Sequence, residues 1–197
     1  MRRMRQRLLS AARPACWACL GVILMTGQNS YSSDDTVLRP LPADSWRLVT
    51  DGVMGGLSTG ELRREQRAGR ECVCLLGDVR TENNGGFIQM ALELDPAIAA
   101  EAVNYAGLSF DVLGNGESYN MHLRTTDLWL PWQSYRATFD TTPQWRTHKR
   151  AFALFEPYRT SKALRTQNLR RVGIVAIGHA FKAEVCVAGL ALYRERR

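Results

Sequence analysis

Apolar and polar residues alternate along most of this chain. Ile88, Met90, Leu92 and Leu94 share one parity, and Phe87, Gln89, Ala91 and Glu93 the other. Leu108, Phe110 and Val112 alternate with Ser109, Asp111 and Leu113. Tyr119, Met121 and Leu123 alternate with Asn120, His122 and Arg124, and Tyr135, Ala137 and Phe139 with Arg136, Thr138 and Asp140. A period of two with one apolar face marks a half-buried strand. Residues 46–49 read as a further short strand. Residues 172–177 and 185–193 are mostly apolar on both parities, as in strands covered on both faces. Helical spacing is confined to residues 96–103 and part of 161–169.

The connectors carry glycine. Asn84-Gly85, followed by Gly86-Phe87, and Asn115-Gly116, between Gly114 and Tyr119, read as hairpin turns. A type I′ turn needs positive φ at both central positions, which Asn-Gly supplies. Hairpins without long crossover helices predict an all-β fold, an antiparallel β-sandwich with at most one or two short helices.

Composition changes the picture at the N-terminus. Of 26 lysines and arginines, residues 1–30 hold five arginines and no acid; over the rest of the chain 21 basic residues face 19 acidic ones. The body is therefore close to neutral, which argues against a nucleic-acid footprint. The basic stretch 1–13 leads into an apolar run, 15–25, shorter than the ~20 residues a bilayer span needs. Residues 1–30 are read as a signal peptide or other targeting segment. The pattern predicts export, to a periplasm; an arginine-rich leader without acids is also the pattern of a mitochondrial presequence. An uncleaved leader would be the one membrane attachment expected. Residues 31–43, with Pro40 and Pro42, read as a flexible lead-in, and 44–197 as one sandwich domain of the 197-residue chain.

Cys72, Cys74 and Cys186 lie in that domain. In an oxidising compartment Cys186 would pair with Cys72 or with Cys74; alternatively all three are small buried apolar residues. One C-x-C and one distant cysteine lack the paired spacing of a zinc site, so no metal is expected.

The densest motif is Asp51-Gly52-Val53-Met54-Gly55-Gly56-Leu57-Ser58. Two adjacent glycines specify a tight turn or a close backbone approach. Gly56-Leu57-Ser58-Thr59-Gly60 matches G-x-S-x-G, and His122, His148 and His179 follow. A nucleophile elbow needs a parallel sheet with crossover helices, so Ser58 is expected to bond local backbone. The loop lacks the Gly-Lys-Ser/Thr ending of a phosphate loop, and no histidine pair has metal spacing, so no cofactor is expected. His122 and His148 are expected at the surface. Trp46 and Trp145 are expected in the core. Trp129 and Trp132 sit in a loop beside Asp127. They either contact a partner or fold back over an open end of the sandwich; on a sugar they would stack, with Arg124 or Asp127 bonding hydroxyls.

The ordered set of motifs resembles the complex I intermediate-associated protein 30 family. Trp46, Asp51-x-x-Met54-Gly55-Gly56-x-Ser58, Gly77-Asp78-Val79, Asn84-Gly85-Gly86-Phe87, Gly114-Asn115-Gly116 with Tyr119, Tyr135…Phe139…Trp145, Phe152-x-x-Phe155-x-Pro157 and Gly178 occur in the family's order. Asn115 stands where an aspartate is common, Leu76 where an aromatic is usual, and residues 126–134 follow no family pattern. The resemblance implies a galactose-binding-like jelly roll and an assembly-factor or chaperone-like role. Because function is grafted onto a fold, the fold transfers more directly. The expected function is a non-catalytic, protein-binding module. A glycan-binding module is the alternative, and a serine hydrolase a remote third.

Overall fold

The computed structural model describes residues 36–196. Within them twelve strands form two six-stranded sheets whose pairings are all antiparallel. The first sheet contains β1 (Thr36–Pro40), β3 (Thr59–Arg67), β4 (Arg70–Val79), β6 (Gly107–Gly114), β9 (Arg146–Ala151) and β12 (Phe181–Glu195). Its order is β3-β4-β12-β6-β9, with β1 beside β12. The second contains β2 (Arg47–Thr50), β5 (Phe87–Glu93), β7 (Ser118–Thr125), β8 (Ser134–Asp140), β10 (Glu156–Tyr158) and β11 (Leu169–Ile177), in the order β10-β8-β7-β11-β5-β2. One short α-helix, α1 (Pro96–Glu101), is present among the described residues. Asp95 starts it by accepting from the Ala97 N–H at 2.8 Å, and Pro96 occupies its first turn.

The parities predicted from the sequence sort the side chains. Ile88, Met90, Leu92, Tyr119, Met121, Leu123, Phe139 and Ile174 point into the core from the second sheet, opposite Leu75, Leu108, Phe110, Val185 and Leu192 of the first. Phe110 meets Phe139 edge to face at 5.1 Å and so ties the two sheets together.

The two Asn-Gly sites are not hairpins. The Asn84-Gly85-Gly86 segment carries the chain from β4 in the first sheet to Phe87 in β5 of the second, and Gly114-Asn115-Gly116 carries it from β6 to β7, ahead of Tyr119, again between sheets. Glycine allows a sharp reversal but does not say which strand the chain pairs with afterwards; here both reversals are corners of a jelly roll. The two-residue hairpin is instead at Ala68-Gly69, with φ of 44° and 79°, between the paired residues Arg67 and Arg70.

Part of the lead-in is also ordered. Residues 36–40 are strand β1, and Pro40 pairs with Ala191 at the strand's end. An edge position tolerates the missing proline N–H. Residues 1–30, read above as a targeting segment and containing Cys16 and Cys19, lie outside the described residues.

Candidate functional site

Asp51 is fully buried and organises the motif loop. Its carboxylate accepts from the Ser58 N–H at 3.0 Å and the Ser58 hydroxyl at 2.5 Å. It also accepts from the Gly86 N–H at 2.5 Å and the Phe87 N–H at 3.2 Å. The Ser58 hydroxyl, its proton directed at Asp51, also accepts from the Arg80 N–H at 2.9 Å, with the Arg80 carbonyl oxygen 3.1 Å away. Two motif segments, 51–58 and 84–87, thus meet on one carboxylate, and Ser58 ties in the chain at Arg80. Burial pushes the Asp51 carboxyl up, but the hydrogen bonds from Ser58, Gly86 and Phe87 outweigh it and hold the group below its ordinary value.

The glycines make room for this clamp. A Cβ on Gly56 would lie 2.3 Å from Asp51 Cγ, and one on Gly85 2.6 Å from Asp51 Oδ2. Gly55 serves differently: it turns the chain at φ 87° with open space around it. Gly52 follows Thr50, whose hydroxyl accepts from its N–H at 3.3 Å. Met54 is exposed, as are Val53 and Leu57.

A second clamp stands at the β6–β7 corner. The buried Tyr119 hydroxyl donates to Asn115 Oδ1 at 2.9 Å and accepts from the Glu184 N–H at 2.8 Å. Asn115 Nδ2 donates to the Lys182 carbonyl at 2.7 Å. Gly114 has Thr141 Oγ1 only 2.6 Å from where a Cβ would sit, and Gly116 takes φ 91°. Burial pushes the Tyr119 phenol well up. Asn115 thus both accepts and donates at this corner, which an ionised aspartate could not do.

The tryptophan loop lies elsewhere. Phe87 pairs with Ile177 at one end of the second sheet, beside the motif loop, whereas Thr125 pairs with Leu169 at the other. The loop between Thr125 and Ser134 therefore projects from the opposite end, and the two candidate surfaces do not merge. Trp129 is 84% exposed and Trp132 48%, with Leu130 between them also exposed. The loop is braced from within. Leu128 is buried. The Leu130 N–H donates to Gln133 Oε1 at 3.1 Å, and Gln133 Nε2 to the Arg159 carbonyl at 3.2 Å. Arg124 donates to the Pro131 carbonyl. Lys162 and Asn168 donate to Asp127, at 2.7 Å to its carbonyl and 2.9 Å to its carboxylate. Arg124 and Asp127 are thus engaged in holding the loop.

Cys74 and Cys186, partners across β4 and β12, form a disulfide, and Cys72 is a buried free thiol beside them. The three lie on the outer face of the first sheet under Leu76, Trp145 and Ala188. Trp145 is consequently outside the main core; its indole N–H donates to the Arg67 carbonyl at 2.9 Å. The histidines also differ from expectation. His122 is enclosed on the outer face of the second sheet, next to Arg136, and its Nε2 has no partner among the described residues. Burial, then the Arg136 charge, lowers it to about 3. His148 stacks on Phe110 at 5.5 Å, and burial lowers it as well. His179 lies 3.4 Å from Glu117. None of the three bonds Ser58.

A family model described as complex I intermediate-associated protein 30 (CIA30) matches residues 35–185. The chain belongs to this family. Both clamps are built from the family motifs, so those motifs encode the corners of its sandwich. No curated protein matches the chain in sequence. Solved structures match in fold. The family 11 carbohydrate-binding module from Clostridium thermocellum, in complex with a β-1,3-1,4-mixed-linked tetrasaccharide, aligns with TM-score 0.64 at 12% identity over 79% of this chain and 95% of that one. The same module type from the cellulosomal cellulase Lic26A-Cel5E of that organism aligns with TM-score 0.65 at 10% identity, covering 79% and 94%. A family 30 carbohydrate-binding module aligns with TM-score 0.56 at 13% identity, covering 82% and 89%. At such identities the likeness is one of fold.

Proposed function

We propose that this member of the complex I intermediate-associated protein 30 family is a non-catalytic module that binds another protein, in an assembly-factor or chaperone-like role. The observation that carries this reading is the braced loop presenting Trp129, Leu130 and Trp132 to solvent. Tryptophans on a rigid loop offer large contact area with little ordering entropy to lose. Family membership supports a protein partner. The commitment of Ser58 to Asp51 and Arg80 speaks against a hydrolase. The Cys74–Cys186 disulfide supports the oxidising compartment that the leader predicts, so the site of action in this reading is outside the cytosol.

Glycan binding is the second reading. The exposed Trp129 ring and the likeness to carbohydrate-binding modules favour it, while the engagement of Arg124 and Asp127 in the loop leaves fewer free groups for sugar hydroxyls. A photo-crosslinking residue placed at Trp129 in the native host, against one at Val53 on the opposite end, separates the readings. The expected result is one reproducible protein adduct from the Trp129 site that disappears with Trp132→Ala. Trp129-dependent binding on a glycan array, with no protein adduct, would overturn the protein-binding reading in favour of the second.

A further inference from the structure

Two features single out the cysteine cluster. The three sulfurs of Cys72, Cys74 and Cys186 lie within 4.8 Å of one another, although Cys186 is 112 residues from Cys74 in sequence. Cys72 Sγ is 3.7 Å from Cys74 Sγ, within a few tenths of an ångström of the ~4 Å edge of a trigonal three-thiolate site with bonds of about 2.3 Å. The spacing C-x-C with a remote third cysteine hides this arrangement, because β12 delivers Cys186 directly opposite Cys74.

We propose that reduction of the Cys74–Cys186 disulfide turns this cluster into a three-thiolate site for a single soft, monovalent cation of the copper(I) kind. The ligand set fits that ion. Glu65 has Oε1 3.3 Å from Cys74 Sγ but is held by Arg67 at 2.6 Å, which leaves three sulfurs as the soft ligands of the site. Zinc wants four ligands in a tetrahedron, whereas soft thiolate sets also select copper(I). Leu76, Trp145 and Ala188 cover the sulfurs and exclude the water that would complete a zinc shell. Arg67, paired with Glu65 and Glu184, and Arg70, paired with Asp111 and lying over the Trp145 ring at 5.7 Å, keep the carboxylates around the site partnered.

The balance is simple. A dithiol reductant gives two electrons and two protons to the Cys74–Cys186 bond and is itself oxidised to a disulfide. Cys74 and Cys186 become thiols. Binding of copper(I) to Cys72, Cys74 and Cys186 then releases three protons, and the metal keeps its oxidation state. In the oxidised protein the site is closed, because two of its three sulfurs are bonded to each other.

The test uses the full chain carrying Cys16→Ser and Cys19→Ser, so that leader thiols do not compete. Copper(I) is titrated anaerobically against a bicinchoninate competitor, and zinc(II) against a chromophoric chelator. The reduced protein is expected to take up one copper(I) per chain, with a thiolate-to-copper charge-transfer band, and to hold zinc(II) more weakly. Cys72→Ser should weaken copper(I) binding by at least about a hundredfold, since loss of a direct ligand exceeds the 10–100-fold effect of an outer-shell one. The oxidised protein should bind no copper(I) against the competitor. If reduction loosens the fold, copper(I) should raise the melting temperature of the reduced protein and not of Cys72→Ser. Equal binding by oxidised and reduced protein, undiminished binding by Cys72→Ser, tighter binding of zinc(II), or a reduced protein that copper(I) neither binds nor stabilises would each overturn the proposal.

Discussion

The Ser58 hydroxyl donates to the Asp51 carboxylate at 2.5 Å, and the Arg80 N–H donates back to the same hydroxyl at 2.9 Å. The oxygen that a nucleophile would need is thereby fixed between two chain segments. Wild-type protein is expected to resist a fluorophosphonate probe. Ser58→Ala should lower stability by about 1–3 kcal/mol, as expected for buried donors and acceptors left unpaired. Asp51→Ala, which orphans four donors at once, should lower it by about 3–5 kcal/mol. Urea titrations of the three proteins check the order.

Buried Asp51 and half-buried His122 act in separate acid windows, and His148, also lowered, adds to the upper one. Asp51 is held below the ordinary carboxyl value of 3.8, so its contribution is complete above that value and is lost as pH falls through its folded pKa. His122 is lowered from 6.5 to about 3; the unfolded imidazole takes up a proton in that interval and the folded one does not. Stability should therefore fall as pH drops from 6.5 towards 3. His122→Gln should reduce the slope in this upper window, leaving the smaller share of His148, and Asp51→Asn should change only the lower one. Denaturation midpoints across the pH range read both.

Adjacent glycines should respond differently to alanine. Gly56→Ala places a Cβ 2.3 Å from Asp51 Cγ and should destabilise by about 3 kcal/mol through overpacking. Gly55→Ala meets no atom within 4 Å and should cost about 1–2 kcal/mol from its left-handed backbone alone. Thermal melts of the pair check the difference.

The disulfide spans 112 residues. Closing so long a loop restricts the unfolded chain, and the double change Cys74→Ala/Cys186→Ala should lower stability by about 2–5 kcal/mol. Comparing urea midpoints of wild type with and without reductant gives an independent measure.

Trp129→Ala should leave stability within about 0.5 kcal/mol, because its ring rests mainly in solvent. A large loss in the melting temperature would mean that the ring supports the loop.

The strand parities were legible because one face of each central strand is buried, and burial writes itself as alternation. Strand β3 was not: Thr59–Arg67 is an edge strand rich in charge, with Arg67 bonding Glu65 and Glu184, so it lacks an apolar stripe. The Asn-Gly corners were legible as turns but not as crossings, since turn chemistry is local and sheet membership is not. His122 shows the same limit. Its parity placed it opposite the core, yet the outer face of the second sheet encloses it. The clamp on Asp51 left its trace as a conjunction of glycines, while the acceptor role of Asp51 itself depends on contacts 35 residues away.

Thr36 pairs with Glu195, and the Thr36 hydroxyl also donates to Glu195 at 3.1 Å. The entry and exit of the sandwich therefore lie side by side. Such a domain can be spliced into a surface loop of a host protein without stretching either junction. It can equally be recut, with new ends opened at the Ala68-Gly69 turn and the old ones joined by a short linker.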